Sequence, residues 1–315
     1  MRREGRVDTL RPGNVFRDWL IDVLQNRIRN KRCDVAVYKL APASHTVCRY
    51  EFLGEGYNVV AKFYAEPTGW KKDYDPGRSM NGEFDKLKRL ESIINVPRPI
   101  AARWDFHSVL VTEYVRGKPL FKFMKSERGL YDRLTALAQN QRRLHDHTRS
   151  DYFKQDEFAR FHQVLDQLRL DPETRLLFNR LLGDWWYSTL LDQPHGCMVH
   201  GDPNPVNCIF DHDRVYFLDF ESSREHANCV HDLGIVAAEL KHYFAIHKGN
   251  DKRAESYIGH FLWHYSRSED EFRRITRALP FFMSLGLLRM ARLKLGPQDS
   301  SYVFREATAC LRARH

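Results

Sequence analysis

The sequence predicts an α+β chain in two parts, a small β-rich N-terminal part over residues 1–114 and a larger helical part over 115–315. Three observations point there. Short apolar runs bounded by turn residues crowd into the first third of the chain. Long patterns with helical spacing dominate after residue 120. One brief strand-rich interval, 198–220, interrupts those helices with a polar loop at its centre.

The first element is an amphipathic helix over Val15 to Arg29, with Phe16, Leu20, Val23, Leu24 and Ile28 at helical spacing and Asn14 as its N-cap. Val35 to Leu40, Val47 to Leu53 and Asn58 to Tyr64 then read as three strands of an antiparallel meander, the last two joined by the turn Gly54-Glu55-Gly56. Residues 65–80 contain Pro67, Gly69, Pro76 and Gly77, so a loop is expected. Glu83 to Ile94 follows as a helix, stopped by Pro97 and Pro99. Ile100 to Trp104 and Val109 to Tyr114 read as strands, and Val115 to Pro119 as a linker. Helical patterns occupy roughly 130–147, 155–169, 172–191, 227–247, 252–266, 270–294 and 300–313. Trp185-Trp186-Tyr187 falls inside one of them and reads as core.

Composition bounds the function. Of 315 residues, 43% are hydrophobic and 29% charged, the balance of a globular protein with a substantial core. No apolar run approaches the length of a membrane span, and no signal-peptide pattern follows the basic N-terminus, so the expected location is the cytoplasm. Six scattered cysteines without a C-x-x-C pair argue for reduced thiols, not a zinc cluster or a disulfide framework. The formal net charge of +9 favours anionic partners, but the basic residues are spread along the chain. That spread argues against nucleic acid as the partner.

The chemistry concentrates in Met198-Val199-His200-Gly201-Asp202-Pro203-Asn204-Pro205-Val206-Asn207-Cys208-Ile209-Phe210. Here an Asp and an Asn stand five positions apart in a polar loop closed on both sides by apolar residues. Phosphoryl transfer from ATP needs a carboxylate to orient and deprotonate the attacking hydroxyl, and an oxygen ligand for magnesium just beyond it. Asp202 and Asn207 have that chemistry and spacing. Asp219, at the end of the apolar run Val215-Tyr216-Phe217-Leu218, is placed to meet a cation bridging the ATP phosphates. Asp211-His212-Asp213-Arg214 between them reads as a hairpin turn.

His200-Gly201-Asp202-x-x-x-x-Asn207 followed by Leu218-Asp219-Phe220-Glu221 resembles the aminoglycoside phosphotransferase and choline kinase superfamily. The resemblance covers most of residues 35–240 and implies a bilobal, protein-kinase-like fold, an ATP-dependent small-molecule kinase, and the cofactors ATP and Mg2+. It implies Asp202 as catalytic base, with Asn207 and Asp219 on magnesium. Lys62, in Val60-Ala61-Lys62-Phe63, matches the lysine that contacts the α- and β-phosphates. Glu83 matches its ion-pair partner, with Glu91 as a rival. Val111-Thr112-Glu113-Tyr114-Val115 resembles the hinge, where the backbone of Glu113 and Val115 would bond adenine. His200 would order the loop, and Asp232 would support it or cap a helix.

One loop departs from the pattern. Ala41-Pro42-Ala43-Ser44-His45-Thr46 lacks the glycines that let backbone N–H groups approach phosphates, so either Ser44 and Thr46 donate hydroxyls instead or the loop is a plain β-turn. The acceptor is a small-molecule hydroxyl compound of open charge, because Glu221, Glu225 and Glu239 are interleaved with Arg224, His226 and Lys241. A kinase-like enzyme acting on a protein or RNA-associated substrate, and a non-catalytic nucleotide-binding scaffold, stand as the alternatives.

Overall fold

A period of two along the strands and of 3.6 along the helices sorts this chain into its layers. The computed structural model describes residues 3–41, 43, 45–65, 74–293 and 295–313. The chain forms two compact units, Met1–Gly117 with Tyr216–Glu221, and Lys118–Val215 with Ser222–His315.

In the first unit the elements are β1 (Arg3–Leu10), α1 (Val15–Leu24), β2 (Val35–Ala41), β3 (Thr46–Phe52), β4 (Tyr57–Phe63), α2 (Pro76–Leu90), β5 (Pro99–Arg103) and β6 (Val109–Glu113). Among the described residues the strands form a six-stranded antiparallel sheet in the order β1-β2-β3-β4-β6-β5. Alternate residues build its core: Val35 and Val37, Cys48, Tyr50 and Phe52, Val59 and Ala61, Val109 and Val111 all bury one face together with Leu20, Ile21 and Leu24 of α1. The same alternation turns Lys62 to the opposite face. Arg17 of α1 is buried, and its guanidinium is satisfied by the Lys31 and Cys33 carbonyls at 2.6 and 2.7 Å.

Two features of this unit differ from the sequence expectation. Strand β1 was not anticipated, because its residues from Glu4 to Asp8 are exposed on both faces and only Val7 among them is apolar. It is held by backbone pairing to β2. Helix α2 begins at Pro76, seven residues before Glu83, so only part of 65–80 is loop, and residues 66–73 lie outside the described residues. The reason is local: Asp75 caps the helix by accepting from Arg78 N at 3.0 Å, and proline is well suited to the first helical position. Glu83 is therefore a mid-helix residue.

The second unit contains β7 (Lys118–Pro119), α3 (Leu120–Ser126), α4 (Leu130–His147), α5 (Lys154–Gln167), α6 (Pro172–Trp186), β8 (Cys197–Val199), β9 (Cys208–Asp211), the start of β10 (Arg214–Phe217), β11 (Arg224–Ala227), α7 (Val230–Lys248), α8 (Arg253–Tyr265), α9 (Glu269–Met290) and α10 (Pro297–Arg312). Short α3 was not anticipated; the other helices match the periodic patterns closely. The turn at His212–Asp213 joins β9 to β10 as expected.

Helix α7 is buried nearly all round from Val230 to Phe244, which makes it the central helix of the unit. It packs against α9 at close range. A Cβ on Gly234 would lie 2.3 Å from Phe282 Cβ, and one on Gly286 would lie 2.8 Å from Ala238 Cβ, so the crossing tolerates only glycine at these two points. Trp185 is core, as expected, and its Nε1 donates to the Leu311 carbonyl at 2.9 Å. Trp186 and Tyr187 are instead exposed. No helix among the described residues is long and apolar enough to cross a membrane.

Candidate active site

The residues singled out by sequence fall into two groups, one in each unit. In the first unit, β4 aims Lys62 away from the α1 core, and α2 supplies Glu83 to meet it. Lys62 Nζ donates to Glu83 Oε2 at 2.8 Å and to Asp219 Oδ1 at 2.7 Å. Glu83 is 4% exposed, and it also accepts from the Tyr64 hydroxyl and from Phe220 N at 3.3 Å. Burial alone would push the Lys62 ammonium down; Glu83 and then Asp219 outweigh it, and its pKa rises above the ordinary lysine value. Lys62 is thus a fixed, fully charged cation between two carboxylates. Glu91, the rival to Glu83, ends α2 and is exposed.

Asp219 sits in the left-handed region with φ 66°, an uncommon conformation for a residue other than glycine. Strain of this kind, on the order of 1–3 kcal/mol, persists where the surroundings hold it, and ion pairing to Lys62 does so here. A short 3₁₀ turn over Phe220–Ser222 follows. Glu221, on that turn, accepts from His45 Nε2 at 2.9 Å and lies 3.7 Å from Lys62 Nζ.

His45 is the fixed side chain of the glycine-free loop. It is 5% exposed, and its ring packs on Tyr64 with centroids 4.7 Å apart. Sequence reasoning passed over it for the hydroxyls on either side. Ser44 lies outside the described residues, and Thr46 is exposed at the start of β3, opposite Phe63. Glu113 ends β6, and its N–H donates to the Arg98 carbonyl at 2.9 Å, so its carbonyl is what it can offer a ligand. Val115 follows the strand, half-buried.

In the second unit the loop 200–207 is held by a buried carboxylate. Asp232, fully buried on α7, accepts from His200 N at 2.7 Å and Gly201 N at 2.9 Å, and pairs with His145 Nε2 at 3.2 Å. Burial opposes its ionisation, but the His145 hydrogen bond and charge, followed by the charges of His231 and His200, hold its pKa down at about 2. Gly201 has φ 80°, and a Cβ there would stand 2.2 Å from the Ser222 carbonyl oxygen, so the loop requires glycine beside the Asp.

Asn204 shapes the turn, accepting on Oδ1 from Val206 N at 3.0 Å and Asn207 N at 3.1 Å while its Nδ2 donates to Asp202 Oδ2 at 3.1 Å. Asn207 donates its Nδ2 to the Asp202 carbonyl at 3.1 Å, which fixes the amide with Oδ1 as the atom able to ligate a cation. Asp202 Oδ1 lies 3.1 Å from Arg289 Nη2, and Arg289 also donates to the Gly201 carbonyl. Glu239, half-buried on α7, has its carboxyl pushed up to about 8, first by burial and then by Asp202. Arg289 was invisible to sequence reasoning, because no motif announces a side chain so far along the chain. Asn204 had a local signal, an amide two residues after an Asp in a proline-rich turn.

Each unit by itself holds donors suited in kind to a part of MgATP: in the first, the Lys62 ammonium for phosphate and the Asp219 carboxylate for a hard cation; in the second, the oriented amide oxygen of Asn207.

Residues 50–267 match the model of the phosphotransferase enzyme family. No curated protein matches the sequence. Among solved structures, the choline kinase of Cryptosporidium parvum Iowa II is similar at TM-score 0.61 and 15% identity, with 94% of each chain covered. The ethanolamine kinase of Plasmodium vivax is similar at TM-score 0.61 and 13% identity, covering 89% of this chain and 83% of that one. An amicoumacin kinase solved with AMP-PNP and Ca2+ is similar at TM-score 0.52 and 14% identity, with 88% of each chain covered. At such identities these likenesses establish the kinase-like α+β fold, and the family match extends over most of the sequence. The chain belongs to the phosphotransferase enzyme family.

Proposed function

We propose that this chain transfers the γ-phosphoryl group of ATP to an alcohol hydroxyl of a small molecule, with Asp202 as the base and Asn207 and Asp219 as the magnesium ligands. The observation that carries the reading is the state of Asp202. Its carboxylate is oriented by Asn204 and Arg289 on a loop pinned through two backbone N–H groups to the buried Asp232. A hydroxyl hydrogen-bonded to that carboxylate is aligned for attack, and its proton has an acceptor at hand.

MgATP, when bound, supplies the transferable phosphoryl group and neutralises the charge that develops on it. Lys62 would hold the α- and β-phosphates, keeping its position through Glu83 as its bond to Asp219 is exchanged for phosphate oxygens. His45 and Glu221 would fix the loop above them in place of the missing glycines. A bound AMP-PNP and Ca2+ in the similar amicoumacin kinase supports the nucleotide and the divalent cation.

The test is an acceptor-dependent ATP turnover assay on wild type and Asp202→Asn. Loss of the oriented base should lower kcat on the order of 10²–10⁴-fold, with MgATP affinity retained. Acceptor-dependent turnover within threefold of wild type in Asp202→Asn would overturn the assignment, threefold being roughly 0.6 kcal/mol of barrier.

A further inference from the structure

Resting on the reading of Asp202 as base, we infer that the acceptor is an anionic hydroxyl compound, carboxylated or phosphorylated, whose negative group is received by Arg160, Arg289 and Arg292. An acceptor must bring its hydroxyl to Asp202, so the side chains around that carboxylate in the helical unit meet the rest of the molecule. Those side chains are guanidinium-rich. Arg289 touches Asp202 directly at 3.1 Å. Arg292 follows three residues on; its Nε donates to the Arg289 carbonyl at 3.2 Å, and its Nη1 to Gln167 Oε1 at 2.7 Å.

Arg160 comes from α5, which packs on α9 through Phe158 and Phe161 against Phe281. One turn before it stands the fully buried Glu157, already engaged by Arg224 and by Asn228 N at 2.8 Å. Arg160 itself is half-buried and makes no hydrogen bond or ion pair among the described residues. Burial, then Arg224 and Arg289, depress its pKa to about 10, so it stays charged and is surrounded mainly by like charge. Arg292, just past the end of α9, is exposed, and its pKa is lowered as well, by desolvation and then by Arg289.

The charge balance sets the sign of the ligand. Four guanidinium groups, Arg160, Arg224, Arg289 and Arg292, face two carboxylates, Glu157 and Asp202. Glu239 does not redress this, since a carboxyl with a pKa of about 8 is mostly neutral at pH 7. A partly desolvated cation without a counter-ion is unfavourable, and the group that relieves it is an anion. A quaternary ammonium or polyamine acceptor would add repulsion in the same place.

The experiment is an acceptor panel with MgATP: glycerate, gluconate and glucose 6-phosphate against choline, kanamycin and uncharged glucose. An anionic acceptor should be preferred. Arg160→Gln should raise its KM on the order of 10- to 100-fold with kcat and the KM for MgATP nearly unchanged, and Arg160→Lys should recover part of the loss. Calorimetric titration with inorganic phosphate and citrate reads the same arginine cluster without turnover; wild type should bind them more tightly than Arg160→Gln. Preference for a cationic or neutral acceptor, or equal anion binding by wild type and Arg160→Gln, overturns the inference while leaving the kinase reading intact. Failure of MgATP to bind would overturn the kinase reading instead, and the anion titration would still report on the arginines.

Discussion

Asp232→Asn tests the claim that one buried carboxylate holds the catalytic loop. The amide retains a single acceptor oxygen and turns an NH2 group towards one of the two backbone N–H groups of His200 and Gly201. The loss is one charge-assisted hydrogen bond together with a buried donor left unmatched, about 3 kcal/mol. The carboxylate's interaction with His145, His231 and His200 is a further contribution. The drop from the ordinary 3.8 to about 2 on folding is worth roughly 2.5 kcal/mol. A folded-state pKa below the unfolded one means stability that is complete above pH ~4 and is lost as pH falls towards ~2, with roughly half remaining at pH 3. Urea titration should therefore show Asp232→Asn less stable by about 3 kcal/mol at pH 7, with the gap to wild type narrowing between pH 5 and pH 3. In the thermal melt the same loss is a fall in Tm of roughly 6–12 °C. The displaced loop should also cost kcat on the order of 10²-fold. A variant that melts within a degree or two of wild type, with a gap indifferent to pH, would refute the reasoning.

Gly234→Val should be among the most damaging single changes away from the loop. Its Cβ would meet Phe282 at 2.3 Å, and overpacking at backbone contact costs about 3 kcal/mol or more, read as a lower Tm with little left of the folded protein at 37 °C. Glu239→Gln should act in the opposite direction at alkaline pH. A carboxyl whose pKa rises to about 8 on folding is harmless below the unfolded value near 4.5 and increasingly destabilising as pH climbs towards 8. Tm measured from pH 5 to pH 9 should fall for wild type across that window and stay flatter for Glu239→Gln. Identical profiles would show that Glu239 does not ionise under strain.

The sequence made the local parts of this protein legible. Asp202, Gly201 and Asn207 lie within a single loop, so their spacing carried their geometry, and the requirement for glycine at 201 is met by the nearby Ser222 carbonyl. The meander β2-β3-β4 was readable because one face is buried and β3 and β4 alternate along it. Strand β1 was not, since its two apolar residues, Val7 exposed and Leu10 packed on the core, make no alternating face among Arg, Glu, Asp and Thr. The start of α2 is not legible from Pro76 and Gly77 read as breakers, because Asp75-Pro76 is a capping signal that opens the helix there. Arg160 and Arg289 depend on helix packing between distant segments, and no spacing rule reaches them.

The membership of Tyr216–Glu221 in the first unit has a consequence for how the molecule is made. The ribosome delivers the whole six-stranded sheet by residue 113, yet Asp219 and Phe220, which engage Lys62 and Glu83, arrive only after much of the helical unit has been synthesised. At about 5–20 residues per second that interval is on the order of ten seconds. During it Glu83 lacks its bond from Phe220 N, and Lys62 lacks Asp219. The nascent sheet waits with its charge cluster unfinished, so a fragment ending at Gly117 should be a chaperone client and not a free-standing domain.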